Sequence, residues 1–233
     1  TGTTITDQGS GSNDGTLSSA PTFSRSTPAE DATWNNRSLT FVAASSEHMT
    51  TTADDTLATK SYSFWAKSSD TAANVVFDHG SHNIGAFHFN HSAAKPLAYF
   101  EQSGSYRYWV DTPGGEQDDN AWHHWVVYFD TADISNCKLY CDGVLQTVDS
   151  TVTSASPNAY TTGIRIGRGG TGYFDGSLDE FAVFDGELTP SQILQIYNGG
   201  KPASLKEFSP DSWYRMGDDD DTGGTTIRDL GVV

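Results

Sequence analysis

The chain has little positive charge. Its 233 residues carry 13 Lys and Arg against 30 Asp and Glu, which gives a formal net charge of -17 at pH 7. Phosphate backbones and anionic lipid surfaces repel a protein of this charge. We therefore expect no nucleic-acid partner, whereas the excess of carboxylates suits a calcium-rich extracellular medium.

Cysteine is equally scarce, because Cys137 and Cys141 are the only two. Their alternating surroundings predict one strand with both thiols on the same face. Four residues of strand span about 13 Å, whereas a disulfide needs a Cα separation below about 7 Å. The two cysteines cannot pair with each other, and we interpret both as small apolar core residues, with a cross-strand or intermolecular disulfide as the alternative.

Long apolar runs are also missing. No stretch of the sequence approaches the roughly 20 apolar residues of a membrane-spanning helix, so we expect no membrane insertion. The hydrophobic content of 36% over 233 residues nevertheless supplies the core of one ordinary domain.

What the sequence does have is alternation with a period of two residues. Four segments rich in aromatic or β-branched residues read as strands: 61–66, 106–110, 122–129 and 164–166. Turn signals separate them, and Asp142-Gly143 predicts a tight hairpin. Many short strands between such turns predict an all-β fold, a two-sheet antiparallel jelly-roll sandwich.

One short helix interrupts this pattern near the C-terminal end. Thr189 can cap it, Pro190 suits its first position, and Gln192 completes a capping box. Gly199 and Gly200 follow the apolar residues of the helix and predict its end.

The two ends of the chain are similar to each other. Residues 224–231 read GTTIRDLG and residues 2–9 read GTTITDQG. Three interpretations stay open: one period of a tandem array, a tail that completes its own sheet, or a tail donated to a neighbouring subunit. We predict a domain over residues 1–200, a linker over 201–211 and a terminal strand segment over 212–233.

The order of motifs resembles a known family. A Trp-His-His strand at residues 122–130 precedes a strand and turn at 138–145, a strand at 164–167 and a strand at 174–184 that leads to the helix. This order resembles the laminin G-like, concanavalin A-like group, to which the pentraxins are related. The resemblance implies a curved two-sheet jelly roll whose members bind sugars, bind proteins or hydrolyse glucans.

The sequence favours a non-enzymatic member of that group. The related laminarinase-type enzymes carry two catalytic carboxyls in a Glu-x-Asp-x-x-Glu strand, and retaining hydrolysis needs such a pair. That motif is absent here. Its nearest counterpart, at residues 116–121, lacks the second glutamate and is interpreted as a solvated acidic loop.

The resemblance also implies a structural calcium ion that joins the first turn to the last strand. Asp179 matches the acidic residue of that strand, and Asp7 and Asn13 could add oxygens from the opening loop. The alternative for Asp179 is a strand-edge acid that accepts hydrogen bonds from turn amides. A paired calcium site of the pentraxin kind is not expected, because its loop offers only Asp175 beside an unfavourable Arg168.

Aromatic residues with polar neighbours are candidates for carbohydrate binding. These candidates are Tyr106, Tyr108, Trp109, Tyr173 and Asp175. The alternative is that most of the rings fill the core, as a jelly roll requires.

Two functional hypotheses follow. The first is a structural protein that assembles a virion surface or an extracellular filament with copies of itself or with a neighbouring subunit. Its assembly residues are Trp213, Tyr214, Arg215, Met216 and Ile227, and the acidic run at 218–221 is expected to be a solvated turn. The second is a lectin-like module that attaches to cell-surface glycans.

Overall fold

Strands make up most of the described part of the chain. The computed structural model describes residues 4–5, 14–19, 21–28, 34–51, 59–72, 74–79, 86–92, 95–99, 107–111, 118–130, 133–151, 163–170 and 172–218. Asp7, Asn13, Tyr106 and Ile227 lie outside these residues. Within them the strands form two larger antiparallel sheets and one short hairpin, which confirms the predicted sandwich.

The first sheet has nine strands among the described residues. In spatial order they are β1 (Thr4–Ile5), β2 (Gly15–Ser18), β5 (His48–Thr51), β15 (Ile164–Ile166), β7 (Asn74–His79), β8 (Ala86–Ser92), β9 (Lys95–Tyr99), β10 (Arg107–Asp111) and β14 (Thr147–Thr151). A separate hairpin, β16 (Arg168–Gly169) and β17 (Gly172–Tyr173), follows β15 directly.

The second sheet has eight strands in the described part. Seven form a path in the order β13 (Val144–Leu145), β12 (Lys138–Cys141), β11 (His123–Phe129), β6 (Lys60–Lys67), β18 (Gly176–Asp185), β4 (Ser38–Phe41) and β3 (Thr22–Ser24). The eighth, β19 (Ser212–Tyr214), pairs with the second half of β18, beyond the point where β4 stops.

The main core lies between the two sheets and is largely aromatic. Phe64 of β6 stacks on Phe181 of β18 at a centroid distance of 5.7 Å, and Phe87 of β8 reaches Trp125 of β11 at 5.6 Å. Each strand presents every second side chain to this layer, because the pleat alternates faces. The alternation in the sequence therefore predicted the core.

A second, smaller core covers the outer face of the eight-stranded sheet. Helix α1 (Pro190–Tyr197) packs Ile193 and Ile196 there, and the predicted Thr189–Gln192 capping box is present. Three 3-10 turns are also described: Ala43–Ser45, Ile134–Asn136 and Lys206–Phe208. None of the described helices has the length and apolar character needed to cross a bilayer.

The segment that follows the helix does not leave the sandwich, contrary to the sequence expectation for residues 201–211. Leu205 is buried in the second core beside Trp213, and Pro210 is buried just before β19. Burial of the apolar side chains of this segment is favourable, and a solvated linker would leave them exposed to water. Within one chain, Trp213, Tyr214 and Met216 are all buried.

Candidate functional site

A β-bulge in β18 directs the side chains of two consecutive acidic residues, Asp179 and Glu180, into the protein interior. Asp179 pairs with Trp65 of β6 and Ala182 with Ser63, so three steps along β18 match two along its partner. Glu180 sits inside this bulge with a positive φ of 49°. The extra residue breaks the alternation of faces, and Asp179 and Glu180 are consequently 0% and 2% exposed.

The tail and the loop before β4 supply the partners of these two acids. Asn35 Nδ2 donates to Asp179 Oδ2 at 3.0 Å and to Glu180 Oε1 at 2.9 Å. Trp213 donates its indole N–H to Glu180 Oε2, and Arg215 Nε lies 3.4 Å from Glu180 Oε1. We call Asn35, Asp179, Glu180, Arg215 and Asp218 the buried acid cluster.

Asp218 joins this cluster, although the sequence predicted that residues 218–221 form a solvated turn. It is 2% exposed, its Oδ1 accepts from the backbone N–H of Asn36 at 2.8 Å, and Arg215 Nη2 lies 3.7 Å from its Oδ2. Burial raises the pKa of Asp218 to about 7. Burial also raises the pKa of Asp179 well above its usual range, and the charges of Glu180 and Asp218 add to that effect.

The donor chemistry of the buried acid cluster fits calcium. Carboxylate oxygens of Asp179, Glu180 and Asp218 lie within 4.8 Å of one another, and once all three acids are ionised the Arg215 guanidinium leaves two negative charges for a cation to balance. Asn35 Oδ1 and Asp218 Oδ2 are buried without a hydrogen-bond partner. A calcium ion takes oxygen ligands and would join β18 to the tail here. The other predicted ligands, Asp7 and Asn13, lie outside the described residues, so the ion stays a prediction.

A second group of polar residues lies at the surface, on the β16–β17 hairpin. The guanidinium carbon of Arg168 is 5.6 Å from the centroid of the Tyr173 ring, and the His48 ring is 6.1 Å from the same centroid. All three side chains are half-buried. We call His48, Arg168, Tyr173 and Asp175 the rim site.

Hydrogen bonds set the protonation of His48 in this group. His48 Nδ1 lies 3.0 Å from the carbonyl oxygen of Ser46, which can only accept, so Nδ1 carries the proton. His48 Nε2 is left as an acceptor, 3.5 Å from Arg168 Nη1. Burial lowers the pKa of His48, and the charges of Arg168 and Arg165 lower it further. His48 is thus a neutral acceptor that orients the guanidinium.

An ion pair between the part-buried Arg165 and the buried Asp78 anchors the hairpin. Arg165 donates from Nε to Asp78 Oδ1 at 2.7 Å and from Nη2 to Asp78 Oδ2 at 2.6 Å, a bidentate arrangement. The backbone N–H of Gly170 donates to Asp78 Oδ2 at 3.1 Å. Asp78, which lies on β7, therefore links the hairpin loop to β15, and these contacts hold the hairpin of the rim site against the sheet.

Asp175 fixes the other side of the rim site. Its Oδ2 accepts from the backbone N–H of Ala43 at 3.2 Å, and its carbonyl oxygen accepts from Ser68 Oγ at 2.7 Å. The carboxylate itself is exposed. Tyr173 and Asp175, which the sequence proposed together, lie two positions apart in the chain, Tyr173 half-buried and Asp175 exposed.

Two other carbohydrate candidates, Tyr108 and Trp109, lie on a distant strand of the nine-stranded sheet. Tyr108 and Trp109 lie on β10, between β9 and β14, and three strands separate β10 from β15 in the nine-stranded sheet. The sequence did not nominate His48, and it treated Arg168 only as an obstacle to calcium. The available signal was the pairing of Arg168 with Tyr173 across a Gly-rich hairpin.

A comparison with protein families identifies the fold. Residues 42–194 match a laminin G family whose description is the concanavalin A-like lectin/glucanases superfamily. The chain belongs to this superfamily. The resemblance inferred from the sequence is therefore confirmed. A comparison with curated protein sequences gives no match.

Solved structures of the concanavalin A-like fold extend this result at low identity. The binding domain of Paraclostridial Mosquitocidal Protein 1 aligns with a TM-score of 0.63 and 8% identity over 84% of this chain. The receptor binding domain of the botulinum neurotoxin C/D mosaic serotype aligns with 0.62 and 12% over 86%. The alignments cover 52% and 55% of those chains, so this chain corresponds to about half of each.

A third structure matches over nearly its whole length. Domain 4 of an extracellular arabinanase from Geobacillus stearothermophilus, solved in complex with arabinotriose, aligns with a TM-score of 0.55 and 13% identity. The alignment covers 83% of this chain and 98% of that one. At these identities the likeness establishes a shared concanavalin A-like fold.

Proposed function

We propose that the chain is a non-enzymatic carbohydrate-binding domain that acts outside the cell, and that the rim site holds the glycan. The observation that carries this proposal is the stack of Arg168 on Tyr173 at the surface, supported from below by the Arg165–Asp78 pair. Ligand sites in general combine aromatic side chains with a few convergent polar groups.

Each residue of the rim site has a role in this proposal. The ring of Tyr173 receives the apolar face of a sugar. Arg168, oriented by His48, donates hydrogen bonds to hydroxyl or carboxylate oxygens. Asp175 has an exposed carboxylate that accepts from sugar hydroxyls, while its hydrogen bond to Ala43 keeps it in position.

The comparisons support carbohydrate binding. The superfamily is described by lectins and glucanases, one similar domain was solved with arabinotriose, and two others are binding domains of toxins. The sequence carries no glucanase dyad, so binding is proposed in place of hydrolysis. These relatives also favour an extracellular location.

A glycan array tests the proposal directly. The full chain should bind a subset of the glycans, and Tyr173→Ala should lose that binding. Leu145→Ala is a matched surface control, because Leu145 is 54% exposed on β13 and lies in the other sheet. Equal binding by Tyr173→Ala and Leu145→Ala would show that the rim site is not the glycan site.

A second candidate function is assembly of a virion surface or an extracellular filament by exchange of the tail. The observation that favours it is the place of β19, which is the last described strand and completes the edge of β18 with the buried Trp213 and Tyr214. The same segment of a second copy could make the same contacts. Light scattering of the full chain tests this, since exchange predicts a mass that rises with protein concentration and self-completion predicts a constant monomer.

A further inference from the structure

Three different donor side chains converge at the end of the β11–β12 pair. One ligand atom each from His123, Cys141 and Asp142 lies within 4.8 Å of the other two. Asp142 and Gly143 both have positive φ, 50° and 78°, which makes their turn the tight hairpin that the sequence predicts. This turn returns the Asp142 side chain to the first residue of β11.

Two of the three donors are already oriented by further partners. His123 Nε2 lies 3.2 Å from Asp119 Oδ2, and His123 Nδ1 lies 2.6 Å from Asp142 Oδ2. The second oxygen of Asp142 accepts from the backbone N–H of His124 at 2.9 Å. Metal-binding histidines almost always donate their other ring N–H to a carboxylate or carbonyl, as His123 does to Asp119.

Hydrogen bonds join His123 to its two acids, and a third donor atom, the thiol sulfur of Cys141, lies beside them. The hydrogen bond and charge of Asp142 raise the pKa of His123, as expected for an imidazolium between two carboxylates. Cys137 has an evident structural role, because its Sγ accepts from the backbone N–H of Asp130 at 3.2 Å and burial raises its pKa to about 12. Cys141 also packs in the main core, and its Sγ lies within reach of a histidine and an aspartate, which makes a mixed nitrogen, sulfur and oxygen set.

We propose that His123 Nδ1, Cys141 Sγ and Asp142 Oδ2 bind a zinc ion, with solvent in the fourth position. Zinc accepts this mixture of ligands, whereas calcium takes oxygen ligands only. Zinc holds nitrogen and oxygen at about 2.0–2.2 Å, so a tetrahedral ion separates Nδ1 from Oδ2 by about 3.4 Å. The two atoms must move apart by about 0.8 Å, which the side chains allow because those of His123 and Asp142 are 14% and 29% exposed.

The proton balance of binding is explicit. Zinc displaces the proton that His123 Nδ1 shares with Asp142, and it displaces the thiol proton of Cys141. The Nε2 proton stays in the hydrogen bond to Asp119. Binding therefore releases protons, and zinc affinity rises with pH until both donors have lost theirs.

Cobalt provides the first test, because a thiolate-to-cobalt charge-transfer band in the near ultraviolet reports sulfur ligation. The reduced full chain, titrated with Co²⁺ alone, should show this band at one equivalent, and Zn²⁺ should remove it. Cys141→Ser should abolish the band. Cys137→Ser changes the other buried cysteine, so it is the matched control and should keep the band.

A second variant tests the arrangement without touching the ligands or the core. Asp119→Asn changes a carboxylate whose side chain is 45% exposed, and the loss of this partner should weaken zinc binding by about 10- to 100-fold. Cobalt binding without a charge-transfer band, or an equal band in Cys141→Ser and Cys137→Ser, overturns the proposal. So does unchanged zinc affinity in Asp119→Asn.

Discussion

Among the described residues, two arginines lie over aromatic rings, one in the interior and one at the surface. Arg215 lies inside, with its guanidinium carbon 5.2 Å from the Trp34 ring and 5.4 Å from the Trp213 ring. Arg168 lies at the surface, 5.6 Å from the Tyr173 ring. The same contact thus occurs once in the buried acid cluster and once in the rim site.

The two arginines differ in how far contacts within the protein already satisfy their guanidinium groups. Arg215 contacts Glu180 and Asp218 and donates to the carbonyl of Trp34, so its charge is used within the protein. A buried charge of this kind must be paired, because removing its partner is strongly destabilising. Arg168 donates to the neutral His48 and keeps an exposed side. The interior stack holds the tail, whereas the two residues of the surface stack are only half-buried.

The largest effect should come from breaking the interior stack. Trp213→Ala removes a buried ring and the indole donor to Glu180, so we expect a loss of about 3–5 kcal/mol in the free energy of unfolding. Trp34→Ala is the matched control, because Trp34 stacks on the same arginine while 36% exposed. It should cost about 1 kcal/mol. Urea denaturation followed by circular dichroism measures both, and equal losses would contradict a structural role specific to Trp213.

The second-largest effect should be a stabilisation of the native state by calcium, which depends on the buried acid cluster and not on the rim site. If it binds the buried acid cluster, an ion concentration of about 100 times Kd should add about 2.7 kcal/mol to the stability of the native state. Asp218→Asn should lose this gain, because Asp218 supplies one of the three carboxylates. Asp175→Asn, which changes the exposed carboxylate of the rim site, should keep it. Thermal unfolding with calcium and with a chelator measures the effect, and an equal gain in both variants would exclude the cluster.

A smaller effect should come from lowering the pH, which should destabilise the protein through a buried histidine more than through a surface one. His79 is fully buried, its Nε2 lies 2.7 Å from the hydroxyl of Tyr62, and burial lowers its pKa from 6.5 to about 3. The unfolded chain therefore binds a proton more readily than the native state below pH 6.5, so stability is lost as pH falls. The loss from pH 8 to pH 5 should be about 2 kcal/mol from this residue alone.

Substitution identifies the residue responsible for that loss. His79→Gln should flatten the pH dependence of the urea midpoint, whereas His48→Gln in the rim site should change it less, because His48 is only half-buried. A slope that is the same in both variants and in the wild type would show that neither histidine accounts for the loss.

Local sequence rules predicted much of the fold. The alternation in residues 122–129 became β11, Asp142-Gly143 became a hairpin turn, and Thr189 capped α1 as expected. These features depend on neighbours in the sequence, so short patterns carry enough information. The family resemblance rests on their order.

The buried acid cluster could not be predicted in the same way. Period-two alternation places Asp179 and Glu180 on opposite faces, and only the bulge brings both inward. Asp218 looked solvated because four consecutive acids rarely converge, yet its partner is the backbone of Asn36, far away in sequence. The rim site could not be predicted from the sequence for the same reason, since His48 approaches Tyr173 only after β5 and β15 pair.

The most direct measurement is a calorimetric titration of the best glycan from the array into the wild-type chain and into Tyr173→Ala, with unfolding measured on the same samples. The surface stack predicts that binding weakens by about 2 kcal/mol or more, roughly 30-fold, while the free energy of unfolding changes by less than about 1 kcal/mol. Unchanged affinity in Tyr173→Ala, or affinity lost only together with stability, would contradict the assignment of the glycan to the rim site.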